Sequence, residues 1–506
     1  MAMDKTSLPV CVRLFADSAE QTLNASFPLP DALADMGKIV YAFGDARVDE
    51  VTPTDGGTSL HALLTLRVQY LADPGETPKT AVFHTEATHV FDTPSFPADG
   101  VFFKPDCRVL QVIAKQNGPR DAELRAQLLF SLEVRQCVCE SLLPADAPGL
   151  VLHEASAEAA AIKPVGTSGE IRKELTLDAG LPGIADIVNT AGSLRLENVR
   201  VGEEALAFDG VLDLRLTYRG ESEADRPVYT RIEESIPFSG EIVDTFDPEN
   251  CRAVAFPTLT ALDADVSFDP YGENRVITVS AAYDALFDVL TPVTAVYADD
   301  AFLAGVPSEA VIRPHAYEAP VAELRERFAL DEKTGIDASR FASVDDASLS
   351  LVSYGTGVAG GETVFSAKAL FSVRGVDKDG RLCAAEAVLP LRKPLSAKIP
   401  PEASVTAGAD VRGVRAMIRA GELLCEGTVS LDGVVTEKKT LYAVESVTAL
   451  GEGGKAESAV IFCYPHGGES VWDVAKRYGV SPEVIRGNNG LAGDSLAGDA
   501  PLLIRK

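Results

Sequence analysis

The sequence predicts a mainly β protein, with three tandem antiparallel β-sandwich-like repeats followed by a small βααβ domain. The first observation is an alternating apolar pattern that recurs three times, which is typical of strands with one buried face. The second is a change near the C-terminus, where apolar residues recur at helical spacing between two short apolar runs. The predicted domains are residues 1–145, 165–305, 320–450 and 456–506.

The three repeats are recognised by a shared hairpin. Residues 64–70 and 212–218 both read Leu-x-Leu-Arg-[Val/Leu]-x-Tyr, and residues 365–373 form a weaker third copy. A return strand with a glutamate follows each copy, and the three residues are Glu86, Glu233 and Glu386. Their spacing of 147 residues (86 to 233) and 153 residues (233 to 386) indicates tandem domains rather than a solenoid of short repeats. Several hairpins per repeat predict sandwiches or partly closed barrels.

Three segments rich in Ala, Pro, Gly and Ser separate the predicted domains. They are residues 143–149, 156–169 and 306–320. Such composition predicts loops that act as semi-rigid linkers. We therefore expect three beads whose rotation is restricted but whose cores are separate.

Capping signals define the C-terminal domain. An apolar run at 460–464 predicts a short strand, and Ser470 is placed to cap a first helix that ends at Gly479. Ser481, followed by Pro482, is placed to cap a second helix. A closing apolar run at 502–504 predicts a strand that returns beside the first.

This order resembles LysM, a module known for binding N-acetylglucosamine polymers such as peptidoglycan or chitin. The resemblance implies a shallow groove between the loop before the first helix and the loop after the second. Trp472 is either a core residue or a partner-facing hot spot, and Lys476 with Arg477 forms either a solvated edge or a basic docking edge. The candidate binding residues are Gly468, Glu469, Ser470, Trp472, Lys476, Arg477, Asn488, Asn489 and Leu491.

Composition restricts the partners. The 46 basic and 75 acidic residues give a net charge of −29, which argues against nucleic acid or anionic lipid as a partner. No segment approaches the roughly 18–20 apolar residues of a membrane span, and no secretory signal pattern begins the sequence. The eight cysteines are scattered, with Cys137 and Cys139 as the only close pair, so we expect reduced thiols and a cytoplasmic location.

Motifs for catalysis are missing from the sequence, and we expect neither an enzyme nor a cofactor. There is no phosphate-binding Gly-rich loop, nucleophile elbow or zinc-protease motif. The repeated glutamates suit a structural or partner-facing role better than a catalytic one. A metal site that includes His61 with His84 or His89 is a weak alternative to ordinary strand histidines, and we expect no metal.

The whole arrangement, three β repeats and one C-terminal LysM-like module, resembles the SipL-like spore-envelope morphogenetic proteins of clostridia, whose repeat is the SPOCS domain. The resemblance implies a mother-cell cytoplasmic adaptor at the forespore surface. There it would bind a scaffold ATPase that polymerises over the forespore, with LysM as a protein-docking module. The alternative is a LysM-mediated peptidoglycan- or N-acetylglucosamine-binding protein of the cell wall or spore cortex.

Overall fold

A computed structural model describes residues 6–74, 77–143, 149–221, 228–249, 251–400, 402–451, 460–496 and 500–505. The chain is mainly β, as predicted, and its larger part consists of three-stranded antiparallel sheets. Two short α-helices lie near the C-terminus, and none of the described helices is long and apolar enough to cross a membrane.

The first six strands form two sheets around one core. In the sheets the order is β1-β6-β5 and β2-β3-β4, and all neighbours are antiparallel. Leu64, Leu66 and Phe130 lie at the centre of this core, with about 1% or less of each exposed. The strands are β1 (Thr6–Pro28), β2 (Met36–Thr54), β3 (Gly57–Ala72), β4 (Pro78–Phe91), β5 (Val101–Gly118) and β6 (Asp121–Leu142).

The same strand order occurs twice more. The second group has sheets β7-β12-β11 and β8-β9-β10, and the third has β13-β18-β17 and β14-β15-β16. Each group encloses its own buried cluster. The strands are β7 (Val151–Thr176), β8 (Ile184–Val201), β9 (Ala205–Gly220), β10 (Tyr229–Val243), β11 (Arg252–Phe268), β12 (Asn274–Phe302), β13 (Ser308–Asp337), β14 (Ser343–Ala359), β15 (Glu362–Val376), β16 (Leu382–Pro394), β17 (Ser404–Arg419) and β18 (Glu422–Ala449). A 3₁₀ turn, Ala338–Arg340, follows β13. We call the three groups sandwiches 1, 2 and 3.

The shared hairpin motif places equivalent tyrosines in sandwiches 1 and 2. Tyr70 and Tyr218 are fully buried, and their hydroxyls donate to the carbonyls of Ala34 and Pro182 at 2.8 and 3.1 Å. Each tyrosine therefore fills the core and ties a loop to it with a satisfied polar group.

Glu86 and Glu233, in contrast, do not occupy equivalent positions in their hairpins, so aligning these two was wrong. Glu86 lies opposite Leu63, whereas Glu233 lies opposite the motif arginine Arg215. In sandwich 1 the arginine that matches Arg215 is Arg67, which is four residues beyond Leu63. These two glutamates lie at different positions along their return strands, because an exposed strand face accepts polar residues at any of its positions.

Two of the predicted linkers are strands, which is a second correction. Residues 156–169 lie within β7, and residues 308–320 lie within β13. β7 and β13 are edge strands of their sheets, where proline is tolerated because its missing N–H need not face a neighbour. The remaining predicted linker falls largely on residues 144–148, outside the described residues.

Two paired strands of each sandwich extend beyond it. The paired strands β1–β6, β7–β12 and β13–β18 continue beyond their sandwiches as two-stranded ribbons, and the three ribbons pack on one another. Five of the eleven buried residues in this contact are alanines, and small side chains allow the backbones to approach closely. The buried residues of this ribbon core are Leu8, Val10, Leu142, Ala157, Ala159, Ala295, Tyr297, Tyr317, Ala319, Leu441 and Ala443. The separate-bead arrangement expected from the linkers is therefore replaced by three cores joined through a fourth.

One pair of cysteines is brought together by the β1–β6 pairing. Cys11 and Cys137 lie directly opposite each other and form a disulfide across 126 residues, which corrects the expectation of scattered, unpaired thiols. The pairing follows from strand register, and nothing in the cysteine spacing indicates it. The six other cysteines are free in the described structure, and burial raises the pKa of Cys107 and Cys425 to about 12, which keeps these thiols unreactive at neutral pH.

The ribbon core should contribute measurably to stability. Replacing Leu8, which is fully buried there, with alanine should lower the free energy of unfolding by about 3 kcal/mol through lost burial and a new cavity. Val243→Ala is the control, because Val243 is 83% exposed. Equilibrium denaturation would measure both variants, and equal stabilities would show that the ribbons do not support the fold.

Candidate docking surface

The C-terminal unit folds around the caps that the sequence predicts. Its elements are β19 (Val460–Cys463), α1 (Val471–Tyr478), α2 (Pro482–Asn489) and β20 (Leu502–Arg505), and β19 pairs antiparallel with β20. The Ser470 hydroxyl accepts from the Asp473 N–H at 3.1 Å, and the Asp473 carboxylate accepts from the Ser470 N–H at 2.9 Å. Gly479 ends α1 with φ 65°, a left-handed conformation that favours glycine.

The second helix is also capped at both ends, by a single N-terminal side-chain hydrogen bond and a left-handed glycine. The Ser481 hydroxyl accepts from the Val484 N–H, Pro482 stands at the first helical position, and Gly490 ends the helix with φ 62°. The helices and strands share a small core that includes Val471, Val474, Ala475, Ile485 and Ile504.

The two loops expected to form a groove are held side by side. Ser470 and Ser495 form an antiparallel bridge, and the Val471 N–H donates to the Asp494 carbonyl at 2.8 Å. Gly468 makes the turn before α1 with φ 90°. The Asp494 carboxylate also pairs with Arg486 at 3.2 Å, which ties the second loop to α2. Residues 497–499 of this loop lie outside the described residues.

The three candidate residues at and just after the end of α2 have different roles. The Asn489 amide donates to the carbonyls of Ile485 and Leu503 and accepts from the Leu503 N–H, so this side chain joins α2 to β20. Leu491 is half-buried against the unit's core. Asn488 has a buried Nδ2 that has no hydrogen-bond partner among the described residues.

Trp472 faces sandwich 2 instead of solvent. Only 7% of the residue is exposed, and its indole N–H donates to the Asp300 carboxylate at 2.9 Å. Its ring centroid lies 5.3 Å from that of Phe302 and 4.9 Å from that of His153. The C-terminal unit is therefore packed on the end of the β7–β12 ribbon.

The basic residues of α1 are engaged in the same region. The Lys476 ammonium donates to both oxygens of Asp300, at 2.6 and 2.7 Å, and Arg477 forms an ion pair with Glu469. The Gly305 N–H also donates to the Gly479 carbonyl at 2.9 Å. Trp472 and Lys476 thus form an internal contact, which we call the α1–β12 contact.

The C-terminal unit exposes apolar residues along β19 and at the residue that follows it, none of which the candidate residues included. Val460, Phe462 and Tyr464 are 47%, 68% and 66% exposed, whereas the intervening Cys463 is buried. β20 is the only strand that pairs with β19 in the described structure. Strand alternation in the sequence already contains this information: if Cys463 faces the core, Phe462 and Tyr464 face outward.

The histidines considered for metal binding are dispersed on sandwich 1. His61 contacts Glu86 at 3.3 Å, His84 contacts Thr65, and His89 stacks on Phe130. Among the described residues, no group of three or more His, Cys, Asp or Glu side chains is arranged to hold a metal ion.

Disrupting the α1–β12 contact should release the C-terminal unit without unfolding it. Asp300→Ala removes one hydrogen bond to Trp472 and an ion pair to Lys476, and we expect a loss of about 2 kcal/mol of docking free energy. Trp472 is the chain's only tryptophan, so its fluorescence emission should shift to longer wavelength as water reaches the ring. Asp265→Asn, an exposed position on β11, is the control. Unchanged emission in Asp300→Ala would contradict the contact.

The capping box predicts an acid-sensitive first helix. The Ser470 backbone N–H and hydroxyl hold the pKa of Asp473 below its usual 3.8. A lowered folded-state pKa means that the stabilisation is present above pH 3.8 and is lost as the pH falls through the lower, folded-state value. Circular dichroism at 222 nm across pH 5 to pH 2 should show a smaller acid-dependent loss in Asp473→Asn than in the parent. Identical acid profiles would remove Asp473 as the titrating group.

Comparison with known proteins assigns no relationship to this chain. No protein-family model, no curated protein and no solved structure matches it. Its functional interpretation therefore depends on its own motifs and surfaces.

Proposed function

We propose that this protein is a non-enzymatic adaptor in endospore coat assembly, and that it binds a forespore-surface scaffold ATPase through its C-terminal unit and its β sandwiches. In this proposal the C-terminal unit is a LysM domain used for protein docking, the three sandwiches are SPOCS-type repeats, and the chain acts in the mother-cell cytoplasm. The proposal is based on the resemblance of the sequence motifs to those of SipL-like proteins.

The observation that carries the proposal is the pair of exposed aromatic residues at the end of β19. Phe462 on β19 and Tyr464, the residue directly after this strand, are two large aromatic residues at 68% and 66% exposure. Exposed aromatic residues of this kind are common anchors of protein interfaces. With Trp472 and Lys476 engaged by Asp300, β19 is the part of the unit best suited to contact a protein partner.

The sandwiches add further sites for a protein partner. β10 and β16 are edge strands, and they carry the exposed residues Val243 and Val388, at 83% and 63%. An edge strand offers backbone N–H and C=O groups to which an extended peptide can add. A scaffold protein with such a peptide would bind the sandwiches through it, while another part of the scaffold binds β19 of the C-terminal unit.

Glycan binding is the second candidate, and the adjoining loops favour it. The Ser470–Ser495 bridge holds the two loops of the expected groove together, and the buried Nδ2 of Asn488 has no hydrogen-bond partner among the described residues. In this alternative, the protein binds peptidoglycan or another N-acetylglucosamine polymer of the cell wall or spore cortex.

The two candidate functions predict different effects of replacing Phe462 and Tyr464. A Phe462→Ser/Tyr464→Ser variant, affinity-purified from sporulating cells, should recover at least about tenfold less scaffold ATPase than the parent, because two anchor residues are lost. Mass spectrometry identifies the partner, and an ATP-hydrolysis assay of the eluate measures its amount. Tyr271→Ser is the matched control, since Tyr271 is 90% exposed on a turn of sandwich 2.

Sedimentation with insoluble peptidoglycan tests the alternative on the same proteins. Recovery of the ATPase with the parent and the control, but not with the double variant, supports the adaptor. Recovery of no ATPase, with saturable sedimentation by peptidoglycan that Asn488→Ala weakens, would replace the adaptor with the glycan-binding function.

A further inference from the structure

The last residues of β12 complete the core of the C-terminal unit. Phe302, the final residue of the strand, is 2% exposed and belongs to the same buried cluster as Val471, Trp472 and Ile485. Among the described residues, every other buried member of this cluster lies within the unit itself. One aromatic side chain of sandwich 2 therefore occupies the unit's interior in the way that a ligand side chain would.

Two side chains of this segment face the unit, and they lie two residues apart. Alternation along a strand puts Asp300 and Phe302 on one face, and Ala301 between them is buried in a different cluster, with Val444 of β18. The Asp300 carboxylate accepts from the Trp472 indole N–H at 2.9 Å, and the Phe302 ring centroid lies 5.3 Å from that of Trp472. The unit thus contacts a carboxylate and an aromatic ring at alternate positions of an extended segment.

Lys476 gives this contact a requirement for negative charge. Its ammonium donates to both oxygens of Asp300, at 2.6 and 2.7 Å, one helical turn beyond Trp472. Two donors of the unit therefore converge on one carboxylate, and hydrogen bonds to an ionised acceptor are stronger than those to a neutral one. A neutral side chain in the place of Asp300 would leave the indole N–H and the ammonium without this acceptor.

An irregularity in β12 separates the roles of two adjacent aspartates. The register with β7 shifts between Ala298 and Asp300, so Asp299 has no residue opposite it, which is a β-bulge. The Asp299 carboxylate contacts His153 of β7 at 2.6 Å, whereas Asp300 contacts the C-terminal unit. Bulges are common where a side chain must be re-aimed, including next to active sites. The bulge thus lets Asp300 serve the unit while Asp299 stays within sandwich 2.

The C-terminal unit stays attached to the chain when this contact opens. β18 ends at Ala449 and β19 begins at Val460, so residues 450–459 connect the unit to sandwich 3. The Lys476 side chain is 41% exposed, so solvent and salt screen its ion pair with Asp300. Because an opened unit remains tethered, the β12 segment has a high effective concentration relative to a segment of another molecule. The end of β12 is therefore an internal competitor for any such segment.

We propose that the C-terminal unit is a receptor for an extended acidic segment of a partner protein, in which a carboxylate precedes an aromatic side chain by two residues. The end of β12 occupies this receptor in the chain alone and inhibits it. A partner segment displaces β12, and its carboxylate then accepts from Trp472 and Lys476 while its ring takes the place of Phe302. This site lies on α1 and is separate from Phe462 and Tyr464, so it goes beyond the proposed docking through β19.

A capped synthetic peptide with the sequence of residues 298–303, Ala-Asp-Asp-Ala-Phe-Leu, tests the receptor on the full chain. In the Asp300→Ala/Phe302→Ala variant, which we call the β12 double variant, β12 no longer competes. Isothermal titration calorimetry should show saturable binding to this variant that is at least about tenfold tighter than binding to the parent. The Trp472 emission of the variant should also move to shorter wavelength as the peptide covers the ring.

Circular dichroism checks the folding of the β12 double variant. Asp300→Ala decides the outcome if the double variant is misfolded, because Asp300→Ala still lacks the carboxylate with which the peptide competes. It should then bind the peptide more tightly than the parent does.

Altered peptides and a lysine variant test the specificity of the receptor. Replacing the second aspartate of the peptide with asparagine, or its phenylalanine with alanine, should weaken binding to the β12 double variant by at least about tenfold, through loss of a charged hydrogen bond or of a buried ring. Lys476→Gln in the same background should weaken binding of the unaltered peptide by about tenfold. Lys439→Gln is the matched control, because Lys439 is 48% exposed on β18 and pairs with Glu437 of the same strand.

The proposal is supported if affinity rises when β12 is altered and falls with each altered peptide and with Lys476→Gln. Absence of saturable binding to the opened variants, equal affinity for the three peptides, or equal effects of Lys476→Gln and Lys439→Gln would each overturn the receptor. Equal peptide affinity in the parent and the opened variants would overturn its inhibition by β12. The purified chain and the peptide suffice for these measurements, so their outcome is independent of whether a scaffold ATPase is recovered from cells.

Discussion

The arrangement of the whole molecule depends on the packing of three β ribbons in one core. Each sandwich has its own buried interior, but those interiors do not determine where one sandwich lies relative to the next. The ribbon core contributes to this arrangement, because the first and last strands of every sandwich continue into it, and direct contacts between sandwiches such as Asn189–Asp346 add to it. Alanines at 157, 159, 295 and 319 allow the ribbons to approach closely. The site that receives the C-terminal unit, at the end of the β7–β12 ribbon, follows from this packing.

Local signals in the sequence predicted local structure well. Period-two alternation indicated the strands, and Ser470, Gly479 and Ser481 marked the helix ends, because strand faces and helix caps involve residues close together in the chain. The mainly β class follows from the same patterns. These inferences need no knowledge of which strands are neighbours in space.

What the sequence analysis missed depends on long-range packing. An Ala- and Pro-rich segment suits both a linker and a closely packed edge strand, and only the neighbouring ribbons decide between them. Strand register, which is set by side-chain burial over many residues, determined the Cys11–Cys137 pair and separated Glu86 from Glu233. The burial of Trp472 required knowing that Asp300, 172 residues earlier, lies beside it. The exposure of one face of β19, in contrast, could have been predicted from the alternation of its residues.

The length of β12 has a mechanical consequence. This strand runs for 29 residues, or about 95 Å at the usual rise per residue, from sandwich 2 through the ribbon core to the C-terminal unit. Its backbone hydrogen bonds to β7 lie across the strand direction. A pull along β12 therefore loads many of these bonds together rather than opening them one after another. Tension along this strand would therefore be shared between sandwich 2 and the ribbon core.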